Sequence, residues 1–236
     1  MSAARLAAIE REVHACRRCP RLVDWREEVA RVKRAAYLQE EYWGRPAAGF
    51  GDPDARLLIF GLAPAAHGAN RTGRFFTGDR SGAFLMGGLH RAGYANQPRS
   101  DRADDGLALT DAFITAAVRC APPANRPTPA ERDACLPFAL RELAELRYVR
   151  VVLCLGAFAW DAALRLRAAV TGEPPPRPRP RFAHGAVFDP PPGAPWPLLG
   201  CFHPSQQNTF TRRLTPAMLD DVLARAKAIA GVGATP

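Results

Sequence analysis

Three stretches of the chain concentrate side chains that can do chemistry. The longest is GLAPAAHGANRTGRFFTGD, Gly61–Asp79, which directly follows the apolar run Leu57–Phe60. Its glycines let a backbone pass close to a ligand. It also offers the rings of Phe75 and Phe76, Asn70, His67 and one carboxylate, Asp79. That inventory suits a flat polar ring better than a triphosphate. A phosphate-cradling P-loop would end in Gly-Lys-Ser/Thr, and this stretch has no lysine. It also lacks the GxGxxG of a dinucleotide site. The second stretch is His203-Pro204-Ser205-Gln206-Gln207-Asn208-Thr209-Phe210. Pro204 stiffens the turn beyond His203, and an imidazole held there can donate to an anionic oxygen. The third is VRCAPPANRPTP, which carries Asn125. Each stretch also has a plain structural reading. Asp79 suits the N-cap of a following helix, Asn125 can serve its own turn, Phe76 can be core, and His203 can be a satisfied structural group.

The cysteines form a fourth group. Of six, Cys154 and Cys201 lie in strand-like apolar runs and read as small core residues. Cys16 and Cys19 form a CxxC after a helical segment. Cys120 lies in the Pro-rich loop and Cys135 on the helix that follows. These four can converge on a metal. Zinc prefers two close cysteine pairs, whereas a [4Fe–4S] cluster accepts more scattered thiolates. Arg17, Arg18, Arg119 and Arg132 are the cations expected to offset the thiolate charge. A redox CxxC is the remaining alternative.

These residues need a scaffold, and 236 residues with 47% hydrophobic content can bury one core. The expectation is a single domain over residues 1–236. The net charge of +9 is almost all arginine, since Lys33 and Lys227 are the only lysines. A polyanion is the leading partner class. No signal peptide or transmembrane run is legible, so a cytoplasmic monomer is expected, where structural disulfides are disfavoured.

Hydrophobic spacing predicts helices over 3–15 and 20–42, a strand at 57–62, a helix at 81–92 and a strand at 111–118. Thr128-Pro129 with Glu131 opens a helix. A strand at 149–155 and a helix at 157–169 follow. Strands are expected at 182–189 and 197–201, and Thr215-Pro216 opens the last helix, to about 230. Alternating strands and helices predict a mostly parallel sheet covered on both faces. EPPPRPRPR, at 173–181, reads as an extended insert whose Arg177, Arg179 and Arg181 could follow a phosphate backbone or merely be solvated.

Taken together, GLAPAAHGANRTGRFFTGD, RCAPPANRPTP and HPSQQNTFTRRLT, with the four cysteines interspersed, resemble a family 5 uracil-DNA glycosylase. The likeness runs from Cys16 to about Leu214. It implies a three-layer α/β/α sandwich with a central, mostly parallel four-stranded sheet. It implies a structural [4Fe–4S] cluster on Cys16, Cys19, Cys120 and Cys135. Families 1 and 4 place Asp or Glu after the first glycine of the first motif, where this chain has Leu62. Family 4 places a uracil-reading asparagine where this chain has Ala116. These departures agree with family 5, in which uracil, hypoxanthine and other damaged bases are removed from double-stranded DNA.

The resemblance further implies base flipping and hydrolysis of the N-glycosidic bond. Phe76 would stack on the base, and the backbone of Gly61, Leu62 and Ala63 would fix its edge. His203 would donate to the base oxygen, and Asp79 or Asn125 would orient water. Gln206, Gln207, Asn208, Arg212 and Arg213 would meet DNA, in a segment that fills the vacated stack. No matched motif holds a lysine, so Schiff-base lyase chemistry is not expected. Two other classes fit parts of the pattern: a non-catalytic iron–sulfur DNA-binding module, and a zinc-bound α/β nucleotide hydrolase.

Overall fold

The computed structural model describes residues 2–191 and 195–231. In chain order the elements are α1 (Ser2–His14), α2 (Pro20–Val32), β1 (Phe50–Gly51), β2 (Leu57–Gly61), α3 (Ala69–Thr72), α4 (Arg80–Arg91), β3 (Ala112–Ala116), α5 (Pro129–Glu145), β4 (Val151–Leu155), α6 (Ala157–Thr171), β5 (Val187–Phe188), β6 (Leu198–Cys201), α7 (Gln206–Phe210) and α8 (Pro216–Ile229).

The sheet has six strands in the order β1-β3-β2-β4-β6-β5. The four inner strands pair in parallel, with Gly61 beside Ala116 and Leu155 beside Cys201 at their carboxyl ends. β1 and β5 are two-residue antiparallel edges. The expected parallel four-stranded sheet is therefore the centre of a mixed one. The two-residue edge β1 carries too little periodicity to be read in advance, and the strand expected at 182–189 shrinks to β5.

The alternation of strand side chains builds the layers. Leu57, Ile59, Ile114, Leu153 and Leu199 join Leu85 and Leu89 of α4 and Leu219 and Leu223 of α8 in one core. Leu58, Phe60, Phe113, Val152 and Leu198 join Leu136 of α5 and Trp160 and Leu164 of α6 in the other. The inner strands are buried on both faces, which is why they read as continuous apolar runs.

Helix ends follow local chemistry. Thr128 and Glu131 form a reciprocal capping box at α5. The segment 20–42, expected as one helix, ends at Val32, because Lys33 takes a positive φ of 58°. A single 3₁₀ turn, Ala35–Tyr37, follows.

Candidate active site

Because β2, β3, β4 and β6 run parallel, the segments leaving their carboxyl ends share one edge of the sheet. The chain passes from β2 to β3 on one side and later to β4 on the other. β2 thus lies at the switch point where open α/β sheets bind ligands. The glycine-rich loop leaves β2, the Asn125 turn leaves β3, Gly156 leaves β4 and His203 leaves β6.

Two rings meet there. The centroids of Phe76 and His203 are 6.1 Å apart, with planes inclined at 36°. The Phe76 ring lies over Gly61, where an added Cβ would stand 3.4 Å from its Cε2. Phe76 has φ 51°, which is a strained conformation for a bulky residue. Its carbonyl is seated on the first turn of α4, where a Cβ at Gly82 would overlap it. The His203 ring makes no hydrogen bond among the described residues, and burial lowers its pKa to about 4. It is therefore a neutral imidazole at physiological pH, able to donate one N–H. Its backbone carbonyl accepts from Asn208 Nδ2 at 2.9 Å.

Asp79 caps α4: its Oδ1 accepts from Gly82 N at 2.8 Å. Its other oxygen lies so close to Gly68 that a Cβ there would overlap it. Burial raises the Asp79 pKa, opposed by hydrogen bonds from the Gly82 and Ser81 amides and by the charge of Arg71. Leu62 accepts from Val118 N at 3.0 Å, which fixes the start of the loop against the segment after β3. Asn125 stands on an exposed turn, at φ 56° after Ala124 at φ 52°. Its side chain makes no hydrogen bond among the described residues.

The structure thus brings Gly61, Phe76 and His203 into one group and seats Asp79 behind the loop. It leaves Asn125 without a hydrogen bond to any of them. Six non-glycine residues among those described have left-handed backbones, and four of them, Phe76, Ala124, Asn125 and Arg212, lie in the predicted site segments. Such strain, typically about 1–3 kcal/mol per residue, gathers at functional sites.

Some expected ligand groups face inward. Asn70 is fully buried and donates to the Arg26 carbonyl at 3.1 Å. His67 Nδ1 pairs with the Tyr42 hydroxyl at 3.0 Å. Asn208 spends its amide on the His203 carbonyl, so it braces the histidine rather than standing free for DNA. Gln206, Gln207, Arg212 and Arg213 are exposed. Arg213 stacks over Phe202 at 4.6 Å.

Two groups escaped the sequence reading. Arg71 is buried. It donates to the carbonyls of His67 at 2.9 Å and Gly78 at 2.7 Å, pairs with Glu40 and stacks on Tyr37, tying the middle of the loop to its far end. Phe210 is 64% exposed on α7, with the Arg80 guanidinium 4.9 Å from its ring centroid. In the Pro/Arg insert, Arg179 pairs with Asp161, and the Pro180 carbonyl accepts from Trp160 Nε1 at 2.9 Å. The insert is therefore docked on α6.

Cys16, Cys19, Cys120 and Cys135 line one pocket with Leu22, Val23 and Val118. Burial raises Cys120 to about 11, opposed by Arg26, and Cys135 to about 12, opposed by Arg119. Cys154 and Cys201 are buried in the sheet, as expected. Among the described residues no group of three or more His, Cys, Asp or Glu is arranged to hold a metal ion. The expected cations are mostly engaged elsewhere. Arg17 pairs with Glu27, Arg18 stacks on Phe138, and Arg132 pairs with Asp161 and Asp133. Arg119 forms a buried double hydrogen bond with Glu142, and only its backbone amide approaches Cys135 Sγ, at 3.3 Å. The guanidinium that meets sulfur is Arg26: Nη1 lies 3.0 Å from Cys120 Sγ and 3.2 Å from the Cys16 carbonyl. Its Nε is buried without a partner among the described residues.

Residues 48–227 match the family model of the uracil DNA glycosylase superfamily. A type-5 uracil-DNA glycosylase of Mycobacterium tuberculosis is 57% identical over 221 residues, covering 93% of this chain and 80% of the relative. That of Mycobacterium leprae is 55% identical, covering 94% of each. That of Thermus thermophilus is 52% identical, covering 92% of this chain and 95% of the relative.

Proposed function

The chain belongs to the uracil DNA glycosylase superfamily, and on that premise we propose that it excises uracil, hypoxanthine and related deaminated bases from double-stranded DNA. The observation that carries the reading is the pair formed by Phe76 and His203 over Gly61. An aromatic face and a neutral N–H donor at the carboxyl end of β2 are the two groups a planar base needs, one to stack on and one to donate to its oxygen.

A duplex hides its glycosidic bonds, so the nucleotide is rotated out at a cost of a few kcal/mol, least for a mispaired base. Phe76 stacks on the extruded base. The bond breaks toward an oxocarbenium sugar and an anionic base, by analogy with glycoside chemistry. His203, neutral and without a competing partner, donates to the base oxygen as charge develops there. One preorganised donor of this kind contributes roughly 3–4 kcal/mol in other enzymes. Asp79, held by the α4 amides, stabilises the sugar cation with its second oxygen, and Asn125 orients water from its exposed turn. Leu62, an apolar side chain, reads no base edge, which supports a pocket tolerant of several bases. Gln206, Gln207, Arg212 and Arg213 contact DNA.

Cys16, Cys19, Cys120 and Cys135 would hold a [4Fe–4S] cluster, and the donor set fits it. Four thiols line one largely apolar pocket, and the buried guanidinium of Arg26, whose Nε has no partner among the described residues, donates to one of their sulfurs. A buried cation calls for an anionic neighbour. When bound, such a cluster would cross-link α2, the segment after β3 and α5, with no part in the hydrolysis.

The test is incubation with duplexes carrying a single uracil or hypoxanthine, followed by alkali. Strand breaks at both lesions are expected. Breaks at uracil alone would remove the broader specificity. In a wider panel, Asp79→Ala and Asn125→Ala are expected to change the ratio of uracil to hypoxanthine excision, and equal losses on both bases would merge their roles.

A further inference from the structure

We infer that α2 ties the sulfur-lined pocket to the base-binding loop, with Arg26 and Asn70 as the positioning residues at the two points of attachment. The inference rests on the reading of that pocket as a cofactor site and of the glycine-rich loop as the base site.

The tie is continuous in hydrogen bonds. Arg26 is 2% exposed in the middle of α2. Its side chain donates to Cys120 Sγ and to the Cys16 carbonyl, so it grips two of the segments that supply sulfur. The nearest carboxylate, Glu27, is 3.7 Å from Nη2 and is itself held at the surface by Arg17. The backbone carbonyl of the same Arg26 accepts from Asn70 Nδ2. Asn70 sits on α3, inside the base-binding loop, and its own backbone is engaged on both sides. Its N–H donates to the Ala65 carbonyl at 3.1 Å, and its carbonyl accepts from Gly44 N at 3.0 Å. A single residue of α2 therefore touches sulfur with its side chain and the loop with its main chain.

A second, apolar contact runs beside the first. Leu22, one turn earlier on α2, packs with Val118, Cys120, Cys19 and Ala63, the last belonging to the base-binding loop. Both attachments end in buried atoms without partners, Arg26 Nε and Asn70 Oδ1. Unpaired buried polar atoms are rare and costly, so the hydrogen bonds that these two side chains do make are the ones that hold them in place. A buried guanidinium takes its position from the charge it faces. Filling of the sulfur pocket therefore sets the seat of α2, and α2 sets the seat of α3 and the loop around it.

Hydrogen–deuterium exchange on the anaerobically purified, full-length protein tests this, with iron and sulfide content and steady-state excision measured in parallel. In Asn70→Ala, iron and sulfide are expected at the wild-type level and exchange of the β4 amides unchanged. Exchange of the peptide spanning 65–73 is expected to rise about fivefold to tenfold, the size of one ordinary hydrogen bond, and KM for uracil-containing duplex to rise more than kcat falls. In Arg26→Gln, exchange is expected to rise in 65–73 as well, and iron is lost faster to a chelator. Wild-type exchange at 65–73 in Asn70→Ala overturns the inference, as does a rise spread evenly over the sheet, which marks a purely structural asparagine. Should Arg26→Gln prove insoluble, Asn70→Ala decides alone. Absence of excision by the wild type would sink the glycosylase reading, and zinc in place of iron the cofactor reading. The exchange comparison would still report on the tie.

Discussion

The sulfur-lined pocket and the sheet-edge site share the segment after β3 yet are built in opposite ways. The pocket is largely apolar, walled by α2, α5 and the segment after β3, with Arg18 and Arg119 in its lining and the buried Arg26 reaching Cys120 Sγ beside it. The edge site has exposed arginines, a half-open aromatic slot, and backbone held in left-handed conformations at Phe76, Asn125 and Arg212. On the proposed reading, the first region would hold a cofactor permanently and the second would admit a base briefly.

The contrast is most exposed to breakage at the sulfurs. Cys135→Ser is expected to give colourless, poorly soluble protein, with iron near zero by elemental analysis and loss of the cooperative thermal transition. Full iron content would remove Cys135 from the ligand set and the contrast with it. Next in size, His203→Ala is expected to lower single-turnover excision by about 10²–10³-fold, while duplex affinity changes by less than about twofold. Equal loss of both would make His203 part of the permanent framework.

The pH dependence sharpens the comparison further. Burial depresses the folded His203 pKa to about 4, below the roughly 6.5 of an unfolded histidine. Between these values the unfolded chain binds the extra proton, so stability falls as pH drops from about 6.5 toward 4. The donor itself stays neutral through that window. The kcat/KM profile is thus expected to lack a His203-dependent limb near 6.5. A limb there that vanishes in His203→Gln would show an ordinary solvated imidazole. The smallest effect is at the rim. Arg212→Ala is expected to weaken binding evenly across sequences and to reduce the slope of log affinity against log salt by about one. An unchanged slope would place Arg212 off the phosphate path.

Much of this layout was legible from residue types. Strands buried on both faces announce themselves as apolar runs, and Thr128-Pro129 with Glu131 marks a helix start that the structure reproduces. The four cysteines separate from Cys154 and Cys201 by context alone. What escaped was direction. Asn70 counts as a ligand group by type, but α3 turns it inward to a carbonyl of another helix, a contact across 44 positions. Arg26 falls in the buried stripe of α2 with Leu22, Val23 and Val29. A charge on an apolar stripe is the one signal that could have singled it out, and the arginines next to the cysteines drew attention away. The two-residue edges β1 and β5 have too few residues to show a period.

The seat of Phe76 also limits how this enzyme can be engineered. Gly82 and Gly88 lower the helix propensity of α4, and replacing glycine with alanine within helices is a common route to thermostable variants. At 87 that route is open, where an added methyl would meet only the tip of Arg91, at 3.4 Å. At 82 the same methyl would evict the Phe76 carbonyl, and at 88 it would strike Leu219. Within this one helix, tolerance of an added methyl is thus decided residue by residue, open at 87 and closed at 82 and 88.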